Sequence, residues 1–379
     1  MVKNQRRTIL VFGAGVIGGQ TADLLARMDD RYRVVLVARD LEQVCRRANL
    51  AITVALNLGF APIVEARDTD VYDVERTADL VAEIDPDLII NATSVQTFWR
   101  ISLLPRPLFE TLDRARIGPW LPNHLATALA VMRAARLSGA RAPVVNASFP
   151  DAVNPALATM GLAPLVGAGN IANLVPTLRR AASASLGIAP SGFSLRMIAH
   201  HYACNSISSH GHPGGAPTAL HVRLNDSGAE VGLDSVVLFE AVNGPFRRVR
   251  GIDGQIVAAS ATAAMADAVL ADTVQAMHAP GVAGLPGGYP VRVGNGAVAL
   301  DLPEGVSQEE AVAINRAGQR LEGIDAIEAD GTIRFAAEQM EFLNATFGYR
   351  CSQMKVEDAQ YWADELQARY RSIAQRVAA

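Results

Sequence analysis

Short apolar runs and amphipathic stretches alternate through the first part of the chain. Five apolar runs have the length of buried strands, at residues 9–12, 33–37, 62–66, 87–90 and 142–148. Helical periodicity follows the first run over residues 20–28 and precedes the fifth over residues 123–137. Strands of a parallel sheet are buried on both faces, so they lack a strict alternation of polar and apolar positions. The pattern predicts a doubly wound parallel sheet with helices on both faces.

The pattern changes after about residue 165. Helical periodicity recurs over residues 170–186, 258–277, 308–321 and 356–377. Runs typical of strands occupy residues 194–199, 219–224, 235–239 and 289–293. A polar, histidine-rich stretch between them, at residues 200–217, predicts a loop. We therefore expect an α/β domain over residues 1–165 and an α+β domain over residues 166–379.

A glycine-rich turn follows the first apolar run. Gly13, Gly15 and Gly18 have the spacing G-x-G-x-x-G, and the helical stretch begins directly after them. The first glycine permits a tight turn, the second lets the backbone approach a pyrophosphate, and the third lets the helix pack on the strand. The helix N-terminus then stabilises the phosphate charge. With a second strand at the expected distance, the motif predicts a Rossmann dinucleotide-binding domain; the alternative is a glycine turn in another α/β protein.

The residues after the second strand bear on which dinucleotide binds. A site for NAD usually places Asp or Glu there, to accept a hydrogen bond from the ribose 2′-hydroxyl. This chain has Ala38, Arg39 and Asp40. A small residue followed by Arg leaves room for a 2′-phosphate and supplies a guanidinium to pair with it. NADP is favoured, whereas Asp40 keeps NAD possible and Arg39 could also be a solvated loop charge.

The other expected cofactor contacts come from the ends of the strands, where ligands of doubly wound sheets bind. The complete predicted set is Gly13, Gly15, Val16, Ile17, Gly18, Ala38, Arg39, Asp40, Asp70, Asn91, Ala92, Thr93 and Asn146. Asp70 could face the adenine, whereas Asn91, Thr93 and Asn146 are expected near the nicotinamide. The aromatic and proline-rich segment at residues 96–122 predicts either a lid over the nicotinamide or an oligomer contact.

Composition narrows the class of protein. The 379 residues carry a formal charge of -4 and no long basic run, which argues against nucleic acid as the main partner. No apolar stretch reaches the roughly 18 to 20 residues of a membrane span, and the charged start runs directly into the first strand, unlike a signal peptide. Three cysteines form no CxxC pair. We expect a cytoplasmic protein, with the apolar helix at residues 258–277 suggesting a homodimer.

Two groups of amides are candidates for binding substrate. Asn146 and Asn154 follow the fifth strand and could hold a carboxamide or a substrate oxygen, or they could cap the next helix. Asn170 and Asn173 follow a glycine turn at residues 167–169 and could orient a carbonyl or an anionic substrate. The alternative for the second group is that Asn170 simply begins a helix.

Four of the seven histidines lie between residues 200 and 212. An imidazole titrates near neutral pH and is the commonest general acid or base, so His200 and His201 are catalytic candidates. His200, Cys204 and His210 could instead ligate a metal. We expect no metal, because the spacing does not place two ligands on a clear helix beside a carboxylate.

The order of these motifs resembles the lactate/malate dehydrogenase-like superfamily over most of the chain. The resemblance rests on residues 144–146, 167–169, 197–201 and 288–294, with residues 306–310 at the start of a late helix. It implies that Asn146 binds substrate and that His201 is the catalytic histidine. The chain departs from the family in the helix after the glycine turn. Asn173 and Pro176 stand where the family has an Asp that pairs the histidine and an Arg that clamps a substrate carboxylate.

The first 100 residues also resemble saccharopine dehydrogenase-like reductases, through residues 38–42 and 85–92. Both resemblances imply hydride transfer with a nicotinamide cofactor and a small-molecule substrate. We therefore predict an NADP-dependent oxidoreductase with His201 as general acid or base and Asn146, Asn170 and Asn173 orienting a C=O or C=N. The alternatives are a lyase or hydrolase resembling the NAD- and metal-dependent glycosidases, and a non-catalytic NADP sensor.

Overall fold

Six parallel strands form the central sheet, in the order β3-β2-β1-β4-β5-β6. The computed structural model describes residues 6–28 and 31–378. The elements of its first part are β1 (Arg7–Phe12), α1 (Val16–Leu25), β2 (Tyr32–Ala38), α2 (Leu41–Asn57), β3 (Ile63–Asp68), α3 (Val74–Ile84), β4 (Leu88–Asn91), α4 (Arg106–Arg114), α5 (Pro122–Leu137), β5 (Val144–Asn146), α6 (Pro150–Ala158) and β6 (Val166–Gly167). The crossover between β3 and β4 gives the doubly wound Rossmann topology, so the predicted fold class is confirmed.

Antiparallel strands and further helices make up the rest of the chain. They are α7 (Ile171–Leu186), β7 (Phe193–Ile198), α8 (His201–His210), β8 (Ala219–Leu224), α9 (Ser235–Asn243), α10 (Ile256–Leu270), β9 (Gln275–Pro280), β10 (Gly288–Gly294), β11 (Ala297–Leu300), α11 (Gln308–Leu321), β12 (Ile324–Ile327), β13 (Thr332–Phe335), α12 (Ala337–Phe347), β14 (Gln353–Lys355) and α13 (Ala359–Ala378). Strands β7 and β8 pair with each other, and two three-stranded sheets have the orders β11-β10-β9 and β12-β13-β14. This is the α+β part that the sequence predicts.

Two apolar layers enclose the central sheet. Along β1, Leu10 and Phe12 pack into one core with α5 and α13, whereas Ile9 and Val11 pack into the other with α1 and α10. Successive side chains of a strand point to opposite faces, which explains this division. Both layers therefore include helices from the second half of the chain. The domain limits at residues 165 and 166 stay a prediction; in the structure β6 belongs to the first sheet.

Three predicted elements differ from the structure. Residues 200–217, expected as a loop, contain α8, which the His200 side chain caps and which ends at Gly211 with φ of 78°. Residues 235–239, expected as a strand, lie in α9, where Asp234 accepts a hydrogen bond from the Val236 amide. The helix predicted over residues 258–277 ends at Leu270, before β9. Short apolar runs do not distinguish buried strands from buried helices, and capping decides these cases.

The segment at residues 96–122 is anchored at its far end by the C-terminal helices. Trp120 is buried, and its ring centroid lies 5.9 Å from that of Phe98, 6.3 Å from that of Phe347 and 6.1 Å from that of Tyr370. Its indole N–H donates to the Gln96 carbonyl at 3.1 Å. Whether the rest of the segment acts as a lid or as an oligomer contact stays a prediction.

No helix within residues 6–28 and 31–378 has the length and apolar character needed to cross a membrane.

We expect Trp120→Ala to lower the free energy of unfolding by about 3 to 5 kcal/mol, because it leaves a cavity among three aromatic rings. Urea unfolding followed by circular dichroism measures the loss. Leu103→Ala, in the same segment but 66% exposed, is the control and should change the free energy by less than about 0.5 kcal/mol. Equal effects of both substitutions would contradict the anchoring role of Trp120.

Candidate active site

A cavity of about 1150 Å³ lies beyond the carboxyl ends of the central strands and reaches α8 and α13. Most of the predicted cofactor residues line it, namely Gly13, Gly15, Val16, Ile17, Ala38, Arg39, Asp40, Asp70, Ala92 and Thr93. His201, Asn170 and Asn173 line the same cavity. The first sheet and the second part of the chain thus contribute to a single site.

The glycine turn has the geometry that a dinucleotide requires. A Cβ on Gly13, whose φ is 100°, would lie 2.5 Å from the Ala92 carbonyl oxygen, and one on Gly18 would lie 1.8 Å from that of Gly13. Gly18 therefore packs the helix on the strand and does not line the cavity. A Cβ on Gly15 would meet nothing within 4 Å, because Gly15 faces open space at the start of α1. No side chain caps this helix, so its first amides are available to an anion.

The end of β2 separates the roles of Arg39 and Asp40. Asp40 is the N-cap of α2, and its Oδ1 accepts a hydrogen bond from the Gln43 amide at 3.0 Å. Arg39 is exposed at the cavity and forms no ion pair with any of the residues that the structure describes. The guanidinium is therefore the more available of the two charges.

A buried chain of amides lies behind the cavity. Asn91 donates to Asn146 at 2.9 Å, Asn146 donates to Asn154 at 2.8 Å, and Asn154 donates to the Gly281 carbonyl at 2.9 Å. The Thr93 hydroxyl donates to Asn91 at 2.6 Å. Asn91 and Asn146 do not line the cavity themselves. In this structure they hold the loops after β4 and β5 in place.

His201 forms an ion pair with Glu322, a residue that sequence reasoning missed. The distance from His201 Nδ1 to Glu322 Oε2 is 2.6 Å, with the Glu322 side chain 3% exposed and that of His201 24% exposed. His201 is the first residue of α8, and Glu322 follows the end of α11, 121 residues later. The carboxylate that pairs with His201 in this structure is therefore Glu322, and not a residue at position 173.

A second buried carboxylate, Asp151 in α6, holds the backbone at the start of α8. Its Oδ1 accepts the amide of His201 at 2.9 Å, and its Oδ2 accepts from the side chain of Asn170. Asn170 has a φ of 50°, an uncommon value for a residue other than glycine. Asn173 lines the cavity, and its Oδ1 is buried without a hydrogen-bond partner among the described residues.

The charges around His201 keep its imidazole protonated. Burial lowers the pKa of His201, but the charge and hydrogen bond of Glu322 and the charge of Asp151 outweigh burial and raise the pKa to about 9. Burial likewise opposes ionisation of Glu322, yet His201 lowers the pKa of that carboxyl below its ordinary value. At pH 7 the pair is an imidazolium and a carboxylate.

His200 is not brought to the cavity. It is fully buried, and its Nδ1 accepts a hydrogen bond from the Tyr202 amide at 3.3 Å as the cap of α8. Burial lowers the pKa of His200. Within residues 6–28 and 31–378, His200, Cys204 and His210 form no group able to hold a metal, nor do any other His, Cys, Asp or Glu residues.

A further histidine at the cavity, His124, carried no signal in the sequence. It lies in α5 and is buried, with Nδ1 2.9 Å from the Ser148 hydroxyl. Phe149 lies between the two histidines, its ring centroid 5.9 Å from that of His124 and 5.8 Å from that of His201. Burial lowers the pKa of His124 to about 4, so it is neutral at pH 7.

The chain resembles known proteins in its fold and not in its sequence. No protein-family model and no curated protein matches the sequence. Lactate dehydrogenase from Eimeria maxima, solved with NADH and oxamate, is 14% identical, and the match covers 83% of this chain and 91% of that one with a TM-score of 0.53. The minor L-lactate dehydrogenase from Enterococcus mundtii is 13% identical over 84% and 96% of the two chains, with a TM-score of 0.51.

A third match is lactate dehydrogenase from Cryptosporidium parvum, 16% identical over 84% of this chain and 96% of that one, with a TM-score of 0.50. The protein therefore shares the fold of these lactate dehydrogenases, which confirms the predicted resemblance at the level of architecture. The likeness of the first 100 residues to saccharopine dehydrogenase-like reductases stays a prediction.

We expect the His201 ring to titrate near pH 9 in the wild type and at lower pH in Glu322→Gln, because the substitution removes the negative charge that raises the pKa. Nuclear magnetic resonance of the imidazole Cε1–H across pH 5 to 10 measures both values without a substrate. Glu230→Gln, which removes a carboxylate beside His221 outside the cavity, is the matched control and should leave the His201 titration unchanged. An unchanged His201 titration in Glu322→Gln would show that the ion pair does not set its charge.

Proposed function

We propose that the protein is an NADP-dependent oxidoreductase that transfers hydride between the nicotinamide and a C=O or C=N of a small polar substrate. One observation carries the proposal: the His201–Glu322 ion pair borders the same cavity as the glycine turn at the start of α1. A dinucleotide site and a charged acid–base pair in one cavity are the two parts that this reaction requires.

The residues present fit the cofactor. The open space at Gly15 and the uncapped amides of α1 would receive a pyrophosphate, and Arg39 would pair with a 2′-phosphate. Asp40 already accepts a hydrogen bond as the cap of α2, which favours NADP over NAD. When bound, the nicotinamide supplies or accepts the hydride.

His201 would handle the proton. Because Nδ1 pairs with Glu322, Nε2 is the nitrogen left to face a substrate. In the reducing direction the imidazolium donates its Nε2 proton to the oxygen or nitrogen on which negative charge develops, and in the oxidising direction the neutral ring accepts it. Glu322 stabilises the imidazolium and fixes the ring orientation. Asn170 and Asn173 would orient the substrate.

The proposal also covers the oligomeric state of the protein, the size of its substrate and its location in the cell. We infer a homodimer that acts on a small molecule in the cytoplasm. The formal charge of -4 supports a small molecule over nucleic acid as the partner, whereas the apolar residues of α10 are buried within this chain against α1 and leave the homodimer a prediction.

We expect His201→Ala to lower turnover by about 10² to 10⁴, the usual contribution of general acid–base catalysis, while NADPH binds as before. NADPH oxidation at 340 nm, in a screen of keto and imino compounds, measures turnover, and nicotinamide fluorescence measures binding. His221→Ala should retain full turnover. Full turnover in His201→Ala would remove the acid–base role, and an NADPH-binding protein without turnover on any compound would be a sensor.

We expect the wild type to bind NADPH more tightly than NADH, and Arg39→Ala to weaken NADPH binding by about tenfold to a hundredfold, the value of a charge-assisted hydrogen bond. NADH binding should change little. Fluorescence titration with both nucleotides measures the four dissociation constants. Arg46→Ala, on the exposed face of α2 outside the cavity, is the matched control. Equal affinities of wild type for NADPH and NADH would contradict the 2′-phosphate site.

A further inference from the structure

A second group of arginines lines the cavity beside α8. Arg248 and Arg250 lie in the irregular connection between α9 and α10, and both line the cavity. Val249 between them is 69% exposed. Arg248 is partly buried, whereas Arg250 lines the cavity where it opens to solvent. Arg116, which follows α4, reaches the same region, with its guanidinium 5.5 Å from the Tyr202 ring centroid.

Carboxylates act on these arginines only from a distance: the charge of Asp113 acts to raise the pKa of Arg250, and that of Arg116 to lower the pKa of Glu322. In the part of the chain that the structure describes, Arg116, Arg248 and Arg250 form no ion pair within 4.0 Å with a carboxylate. Arg250 donates a single hydrogen bond, to the neutral side chain of Asn205 at 3.0 Å. Burial and the charge of Arg250 lower the pKa of Arg248. Guanidiniums held together without a carboxylate in ion-pair contact remain able to bind a carboxylate or a phosphate.

The contact between Arg250 and Asn205 shows how far the arginines lie from His201 along α8. Both residues lie on α8, four positions apart, and both line the cavity. A rise of 1.5 Å per residue separates them by about 6 Å along the helix axis. An anion held at Arg250 would therefore be several bonds away from an atom that exchanges a proton with His201.

We propose that Arg248 and Arg250 bind an anionic group, a carboxylate or a phosphate, at the far end of the substrate from its reacting C=O or C=N. The proposal rests on the proposed function, since it names the class of substrate for the same site. The site differs from the clamp of the lactate/malate dehydrogenase-like superfamily. That clamp holds a carboxylate next to the reacting carbon, and its arginine is Pro176 here.

Four ketones, three of matched length and the shorter pyruvate, test the proposal by calorimetric titration of protein saturated with NADP⁺, which carries no hydride to reduce them. They are 4-oxopentanoate, 3-oxobutylphosphonate, the uncharged 5-hydroxypentan-2-one, and pyruvate with its carboxylate beside the ketone. We expect one or both of the distal anions to bind at least tenfold more tightly than the uncharged ketone and than pyruvate. Preference for the carboxylate or for the phosphonate identifies the anion.

Single substitutions test whether Arg248 and Arg250 bind the anion. Arg248→Gln and Arg250→Gln should each weaken binding of the preferred anion by about tenfold or more. Binding of 5-hydroxypentan-2-one should not change. Arg247→Gln removes the same charge from the same connection, but Arg247 is exposed and does not line the cavity, so anion binding should remain. An equal loss in Arg247→Gln would indicate a general charge effect and overturn the proposal.

Two further results would also overturn it. One is that no distal anion binds more tightly than the uncharged ketone. The other is that Arg248→Gln and Arg250→Gln weaken NADPH itself, which would assign these arginines to the cofactor. NADPH affinity is measured first, and the ketone titrations are repeated without any cofactor. A failure of NADPH binding therefore counts against the proposed function, whereas the anion site is judged by the ketones alone.

Discussion

The ion pair between His201 and Glu322 is the interaction on which the arrangement of the site depends. A carboxylate that is 3% exposed would be unstable without compensation, because a buried charge needs a partner and hydrogen bonds. Glu322 gains that partner only if the start of α8 meets the end of α11. Its backbone carbonyl also accepts the Gly118 amide at 3.0 Å. The same residue thus connects His201 with the segment at residues 96–122.

Close packing around Glu322 makes this connection rigid. A Cβ on Gly118 would lie 2.3 Å from the Glu322 carbonyl oxygen, so only glycine fits beside it. Gly323, with φ of 102°, lets the chain turn directly into β12. Beyond that strand, α12 and α13 pack around Trp120, and α13 also lines the cavity. The C-terminal part of the chain therefore contributes a wall of the site.

The sequence predicts those parts of the site that local sterics determine. The spacing of Gly13, Gly15 and Gly18 reflects backbone contacts within a few residues, so the cofactor turn could be predicted from spacing alone. Glu322 could not, because its partner is 121 residues away and no local pattern distinguishes it from other helix-terminal carboxylates. The sequence also predicts a loop where α8 lies. The residue type of His200 indicates a catalytic group, and nothing in the sequence shows that its side chain caps the helix.

The balance of charge in the cavity links the ion pair to the character of the substrate. Asp151 and Glu322 are both buried, and the pKa of about 9 for His201 leaves one positive charge between them. Asp151 is stabilised by neutral donors, the His201 amide and the Asn170 side chain. Arg248 and Arg250 line the same cavity, and Arg250 donates to Asn205, four residues along α8 from His201. A neutral substrate would leave those guanidiniums without a carboxylate at ion-pair distance, whereas an anion at that end would be attracted to them and kept away from Asp151 and Glu322.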